Sequence, residues 1–247
     1  MKVINDVVGY KNLKIVQDTQ MFNFSLDSVL LPRFITLNKN VKNILDIGTG
    51  NAPIPIILST LTSATITGIE IQKDVFDLAE ESIRINNLEN QINLINGDIN
   101  EVYQQYESDS FDVITCNPPF FKSLPNSNYN KNDYKTIARH EIKLNLEQLC
   151  KISKKLLKNN GILGIVHRPD RLIDIIETFR NYKIEPKRMR LVYPRINREA
   201  NVLLIEGIKG GKPGNLRIEN PLFVYENEKS LNYSQEILDL FMLGKKE

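Results

Sequence analysis

Asn43-Ile44-Leu45-Asp46-Ile47-Gly48-Thr49-Gly50-Asn51 is the stretch that decides the fold class. Its first five residues read as a buried strand, apolar apart from one acid near the end. The Gly-x-Gly that follows lets the backbone turn sharply and approach a ligand closely, with the free N–H groups of a following helix beside it. A helix-length piece spans residues 53–61, and residues 65–70 form a second strand-like run. Strand, glycine turn, helix and strand together make a βαβ unit.

Working outward, the same rhythm continues. In residues 73–87, Val75, Leu78, Ala79 and Ile83 fall on one helical face and Glu80, Glu81, Arg84 and Asn87 on the other, so the helix packs one side on a sheet. Residues 91–96, 111–116 and 161–167 read as further strands. The last follows a helix with Leu146, Leu149, Cys150, Ser153, Leu156 and Leu157 on one face, which Gly161 would end. After a helix at 171–181, runs at 188–193 and 201–207 flank Pro194-Arg195-Ile196-Asn197-Arg198 as a hairpin at the sheet edge. The pattern predicts an α/β, doubly wound, mainly parallel sheet of seven strands in a single domain.

Upstream, residues 1–40 read as an N-terminal lead-in, with short strands or a partly extended segment over residues 1–19, followed by a cap helix. Ser25 would cap it, Ser28, Leu30, Leu31 and Phe34 would lie along it, and residues 20–24 could fold over a cleft. Residues 41–247 are expected to form the main domain.

Composition narrows the function classes. The 247 residues are 41% hydrophobic and 25% charged, ordinary for a water-soluble chain. No run approaches the ~18 apolar residues of a membrane span, and residues 1–14 lack an apolar signal segment. A cytoplasmic chain without membrane association is expected. Two cysteines and two histidines lack metal-site spacing, so no metal is implied. Net charge is only +2, so a nucleic-acid surface would have to come from local clustering.

Three acids stand at three successive strand ends. Glu70, 20 residues beyond Gly50, suits the hydroxyls of a ribose, and Asp98 suits an adenine amino group. Asp46 beside Gly48 and Gly50 would repel a pyrophosphate but attract an amino acid's ammonium. The third glycine of the dinucleotide fingerprint is absent, with Ala52 and Pro53 following instead, which disfavours nicotinamide. The description fits S-adenosylmethionine. Each acid taken alone could equally be a helix cap or turn residue.

Asn117-Pro118-Pro119-Phe120 follows the strand at 111–116 and opens a loop at the ligand-binding edge of such a sheet. The prolines stiffen the turn and offer carbonyls without N–H groups. The Asn117 side chain and the Pro118 carbonyl can accept the two N–H bonds of an amino group on a planar ring, with Phe120 stacked on its face. A proline-stiffened strand end is the plain alternative. Between Lys183 and Arg198, six basic residues face one acid. Lys187, Arg188 and Arg190 among them could track phosphates, or form a solvated face.

With these features the chain resembles the class I methyltransferases that act on amino nitrogens. More closely it resembles the bacterial valine-tRNA adenine-37 methyltransferase family, over nearly its whole length. The segments that carry the closer likeness are Arg139-His140-Glu141-Ile142, His167-Arg168-Pro169-Asp170-Arg171-Leu172, Glu185-Pro186-Lys187-Arg188 and Pro221-Leu222-Phe223-Val224-Tyr225. Ala52 and Pro53, where relatives commonly keep glycine, and Phe120, where many have tyrosine, are departures.

The resemblance implies a class I sheet and methylation of a 6-amino group beside the tRNA anticodon. It places Asp46, Gly48 and Gly50 at the methionine end of the cofactor, Glu70 at its ribose and Asp98 at its adenine. Asn117, Pro118 and Phe120 would hold the base, and Arg139 would meet phosphate or order the loop. The competing readings are methylation of a glutamine amide on a translation factor, a DNA adenine target, and a non-catalytic protein that binds cofactor and RNA.

Overall fold

The computed structural model describes residues 1–7, 10–19, 26–118 and 144–241. Seven long strands make the central sheet: β3 (Asn43–Ile47), β4 (Thr65–Glu70), β5 (Ile92–Asn96), β6 (Phe111–Cys116), β7 (Leu157–His167), β8 (Ile184–Tyr193) and β9 (Val202–Lys209). Their order across the sheet is β8-β9-β7-β6-β3-β4-β5. β9 slots antiparallel between β7 and β8, and the pairings among β5, β4, β3, β6 and β7 are parallel.

Helices cover both faces, which is why the strands read as near-continuous apolar runs. On one face Ile44, Val113, Ile162 and Val166 pack under α1 (Leu26–Phe34), α2 (Pro53–Ser59) and α3 (Lys73–Ile85). On the other, Leu45, Ile47, Ile114, Cys116, Leu163 and Ile165 pack under α4 (Ile99–Val102), α5 (Leu146–Leu156) and α6 (Leu172–Asn181). Asn145 and Gln148 close a capping box that starts α5.

The short strands expected in the lead-in pair as an antiparallel hairpin, β1 (Lys2–Val7) with β2 (Tyr10–Asp18), docked on α3 where the Val16 N–H donates to the Ser82 hydroxyl. Other local expectations change. Helix α5 ends at Leu156 rather than at Gly161, because Leu157 already pairs with Phe111 in β6 and an irregularity follows before Val113 meets Ile162. Beyond β9, two short strands, β10 (Arg217–Ile218) and β11 (Leu222–Phe223), add in parallel to β8, so the sheet extends past the hairpin that was expected to close its edge. Helix α7 (Gln235–Leu240) follows them, with Ile237 buried in the α1 face. Among the described residues no helix is long and apolar enough to cross a membrane.

Candidate functional site

The parallel register sets the site. Asp46 lies level with Gly68 of β4 on one side and Thr115 of β6 on the other, so the ends of β3, β4 and β6 meet at one edge. The glycine turn is strapped to β4 there, with the Gly48 and Thr49 N–H groups both donating to the Ile69 carbonyl at 2.9 and 3.0 Å. Gly48 and Gly50 take φ of +69° and +59°, and a Cβ on either would point into open space. That combination forms a backbone cradle. Ala52, at φ 70°, takes a left-handed conformation that glycine would adopt more easily, which gives a physical meaning to the glycine expected there.

Asp46 is fully buried. Its Oδ1 accepts from the Thr115 hydroxyl at 2.6 Å, whereas its Oδ2 and the nearby Thr49 hydroxyl make no hydrogen bond of good geometry, although Thr49 is near enough to favour the ionised carboxylate. Burial, with a smaller push from Glu70, raises the Asp46 pKa from 3.8 to about 7. A buried, half-satisfied carboxylate beside an open glycine cradle calls for a cation with N–H donors.

Glu70 is also buried. Its Oε2 accepts from the Gly50 N–H at 3.0 Å and its Oε1 from the Gln72 N–H at 2.9 Å, so the carboxylate holds the turn and keeps a lone pair on each oxygen. Asp98 caps α4, its Oδ1 accepting from the Asn100 backbone and side chain at 2.9 Å. The cap reading of Asp98 is therefore realised, and Oδ2 is the oxygen left for a ligand.

Sequence reasoning passed over three polar residues here. Thr115 orients Asp46. Asn51, buried, donates to the Val16 carbonyl at 2.8 Å and ties the N-terminal hairpin to the glycine turn. Ser28 of α1 accepts from the Asn117 side chain at 2.9 Å. None carries a charge or a motif, and each is recognisable only from what it faces.

Asn117 and Pro118 follow β6 directly, at the same edge as the glycine turn and half-buried. Phe120, Arg139 and His140 lie outside the described residues. At the end of β7, His167 Nδ1 accepts the Arg168 N–H at 2.8 Å. Burial and then the Arg171 cation lower its pKa to about 4, so the ring is neutral at physiological pH.

The basic strip does not stand as a comb of free cations, because the fold uses most of it. Arg188 donates to both carboxylate oxygens of Glu206, to Glu219 and to the Phe34 carbonyl, and its guanidinium lies 4.3 Å from the Phe34 ring centre. Arg190 binds Glu236 and the Asn220 carbonyl. Lys187 reaches the carbonyls of Lys212 and Gly214. Arg195 stacks over Tyr225 and donates to the Asn227 and Ser230 carbonyls. Arg198 is exposed in the β8–β9 turn, at the same edge as Asn117. Arg188 and Arg190 thus bind the C-terminal segment to the sheet, because desolvated guanidinium groups need carboxylate partners.

Comparisons with known proteins agree with this fold. A family model described as a methyltransferase domain matches residues 38–196. A tRNA1(Val) (adenine(37)-N6)-methyltransferase of Porphyromonas gingivalis is 30% identical over 207 residues, covering 81% of this chain and 80% of that one. Its counterpart in Flavobacterium psychrophilum is 28% identical over 215 residues, covering 80% and 90%. Among solved structures, a predicted O-methyltransferase from Agrobacterium tumefaciens superposes with TM-score 0.69 at 18% identity, covering 88% of this chain and 96% of that one. Geranyl diphosphate C-methyltransferase of Streptomyces coelicolor, solved with S-adenosyl-L-homocysteine, gives TM-score 0.55 at 7% identity and covers 74% and 76%. With its methyltransferase domain and a relative of this identity along most of both chains, the chain belongs to the tRNA1(Val) (adenine(37)-N6)-methyltransferase family.

Proposed function

We propose that this protein transfers a methyl group from S-adenosylmethionine to the 6-amino group of adenine 37 in a valine tRNA. The observation that carries the reading is the Asp46–Thr115 contact between β3 and β6, because it sets the cation-seeking cradle two residues from Asn117 along β6.

The residues at the cradle fit the cofactor. Asp46 Oδ2 and the Thr49 hydroxyl would take the ammonium and carboxylate of its methionine part, and Gly48 and Gly50 leave room for the chain to pass. The remaining lone pairs of Glu70 would accept the ribose hydroxyls, and Asp98 Oδ2 the adenine amino group. Bound there, the cofactor supplies an electrophilic methyl group on a sulfonium. Asn117 and the Pro118 carbonyl would accept the two amino N–H bonds of the target adenine and so aim its nitrogen lone pair at the cradle. Phe120 is assigned to the base face, and Arg139 to phosphate, on the family resemblance. The proton displaced from nitrogen can leave to solvent, so positioning supplies much of the rate. The target is a base in a loop, which is splayed out at modest cost. The domain would act in the cytoplasm, where its tRNA is.

The test is transfer of labelled methyl to bulk tRNA, total protein and duplex DNA in parallel, with nucleoside analysis of the RNA. N6-methyladenosine confined to a valine tRNA is expected. Label in protein alone would replace this reading with glutamine methylation, and cofactor binding without any transfer would replace it with a non-catalytic role.

A further inference from the structure

Helix α1 comes closer to the sheet than an ordinary side chain would allow. A Cβ on Gly164 of β7 would stand 2.2 Å from Ile35 Cδ1 and 3.7 Å from Leu31 Cδ1, so the absence of a side chain there lets the helix settle onto the strand. Ser28, Leu31 and Ile35 follow one another at helical spacing and share the stripe that faces the sheet. Beyond the helix, the Thr36 N–H and hydroxyl both bind Glu206 of β9, at 2.8 and 2.6 Å. The helix is therefore held at its base and along its length, and Ser28 is held with it, 6% exposed. Among the described residues, its polar contact with the segment after β6 is the 2.9 Å hydrogen bond from Asn117 Nδ2.

An asparagine amide presents a donor and an acceptor that are nearly the same shape. Rotating it by half a turn would put an NH₂ group where a target amino group needs an oxygen. A donor–donor encounter there would repel the substrate and leave two N–H groups without acceptors. A serine hydroxyl can accept or donate; here it accepts from Nδ2, which leaves Oδ1 on the other side of the amide, and among the described residues nothing donates to that oxygen.

We propose that Ser28 is a positioning residue for methyl transfer, accepting from Asn117 Nδ2 so that Oδ1 faces the target amino group. This rests on the reading of Asn117 as the acceptor of that amino group. Ser28 does not touch the substrate; it acts through Asn117. A residue outside the Asn-Pro-Pro-Phe stretch thereby completes the amino-group clamp.

The test is single-turnover and steady-state kinetics of Ser28→Ala, Ser28→Cys, Ser28→Thr, Asn117→Ala and the Ser28→Ala/Asn117→Ala double variant, with cofactor affinity measured separately. The cysteine variant keeps the buried shape but offers a poor acceptor, so it covers the case in which the alanine variant folds badly. Expected are a kcat about tenfold lower for Ser28→Ala and Ser28→Cys, unchanged KM for tRNA and cofactor Kd, and recovery in Ser28→Thr. In the Asn117→Ala background the serine substitution should have no further effect. Wild-type kcat in Ser28→Ala and Ser28→Cys, or losses that multiply in the double variant, would overturn the role of Ser28 and leave Asn117 standing. Wild-type kcat in Asn117→Ala would overturn the reading of Asn117 itself.

Discussion

Thr115 and Asp46 sit side by side in neighbouring strands, the threonine hydroxyl donating to Asp46 Oδ1 at 2.6 Å with neither side chain reaching solvent. The pair places an ionisable group in the driest part of the sheet edge and satisfies only half of it. Burial lifts the Asp46 pKa from 3.8 to about 7, so the folded protein keeps a proton that the unfolded chain has released over that interval. The sign follows: stability conferred by the protonated form is complete below about pH 3.8 and is lost as pH rises through about 7.

Asp46→Asn should therefore stabilise the cofactor-free protein at about pH 8, by of order 1–3 kcal/mol. The same change should weaken S-adenosylmethionine by at least about a hundredfold, through loss of a buried charge partner. Urea unfolding and calorimetric titration would measure the two effects. A variant that is less stable and binds normally would remove Asp46 from the cofactor site.

In the intact protein, cofactor affinity should fall about tenfold per pH unit once Asp46 takes up its proton, below about pH 7. Thr115 bears on that midpoint, since its donated bond favours the ionised carboxylate. Thr115→Val keeps the shape and removes the donor, so the midpoint should move upward; Thr115→Ser should restore it. The groups around Asp46 that would share the response are Thr49, Glu70 and Cys116. An unmoved pH profile in Thr115→Val would assign the titration to another group.

The βαβ rhythm was legible because strands buried on both faces and one-sided helices leave apolar spacings that short-range rules read directly, as at residues 43–47 and in α3. The glycine turn and Glu70 were legible for a related reason: both lie at strand ends, and strand ends are where a parallel sheet gathers its functional groups. Asp98 shows the limit, since an acid after a strand serves a helix cap and a ligand with the same atoms. The strands of the N-terminal lead-in were legible but their pairing was not, because β1 is mostly exposed and β2 carries its buried residues consecutively, Ile15, Val16 and Gln17, without clean alternation. Ser28, Thr115 and Asn51 escaped because each acts through a partner 35 to 89 residues away. The basic strip shows another limit: a charge run does not record which of its members already have carboxylates, and Glu206 and Glu219 lie 18 and 31 residues beyond Arg188.

Arg188 is expected to matter for folding rather than for RNA. Its side chain is 21% exposed and that of Glu206 6%, and together they tie α1, β8, β9 and the Glu219 segment. Arg188→Met should lower stability by about 2–3 kcal/mol, because it leaves Glu206 with only the two Thr36 donors. Cofactor affinity per folded molecule should hold. Thermal unfolding beside calorimetry separates the two, and a stable variant with weakened RNA binding would return Arg188 to the substrate surface.

Arg198 and Lys187 make the sharper test of where RNA lies. Strand β8 runs toward the edge that carries Asn117, so Lys187 is six residues before its end at Tyr193, about 20 Å from that edge at a strand's rise per residue. Arg198 stands beyond the end, exposed, in the turn to β9. A phosphate backbone that delivers a base to Asn117 would pass Arg198 first. Arg198→Gln should weaken tRNA binding and reduce the slope of log affinity against log salt by about one. Lys187→Gln should leave that slope within error while leaving cofactor affinity unchanged. Equal slopes in Arg198→Gln and wild type, with a reduced slope in Lys187→Gln, would place the RNA along the outer face of β8 instead of across the ends of β6, β7 and β8.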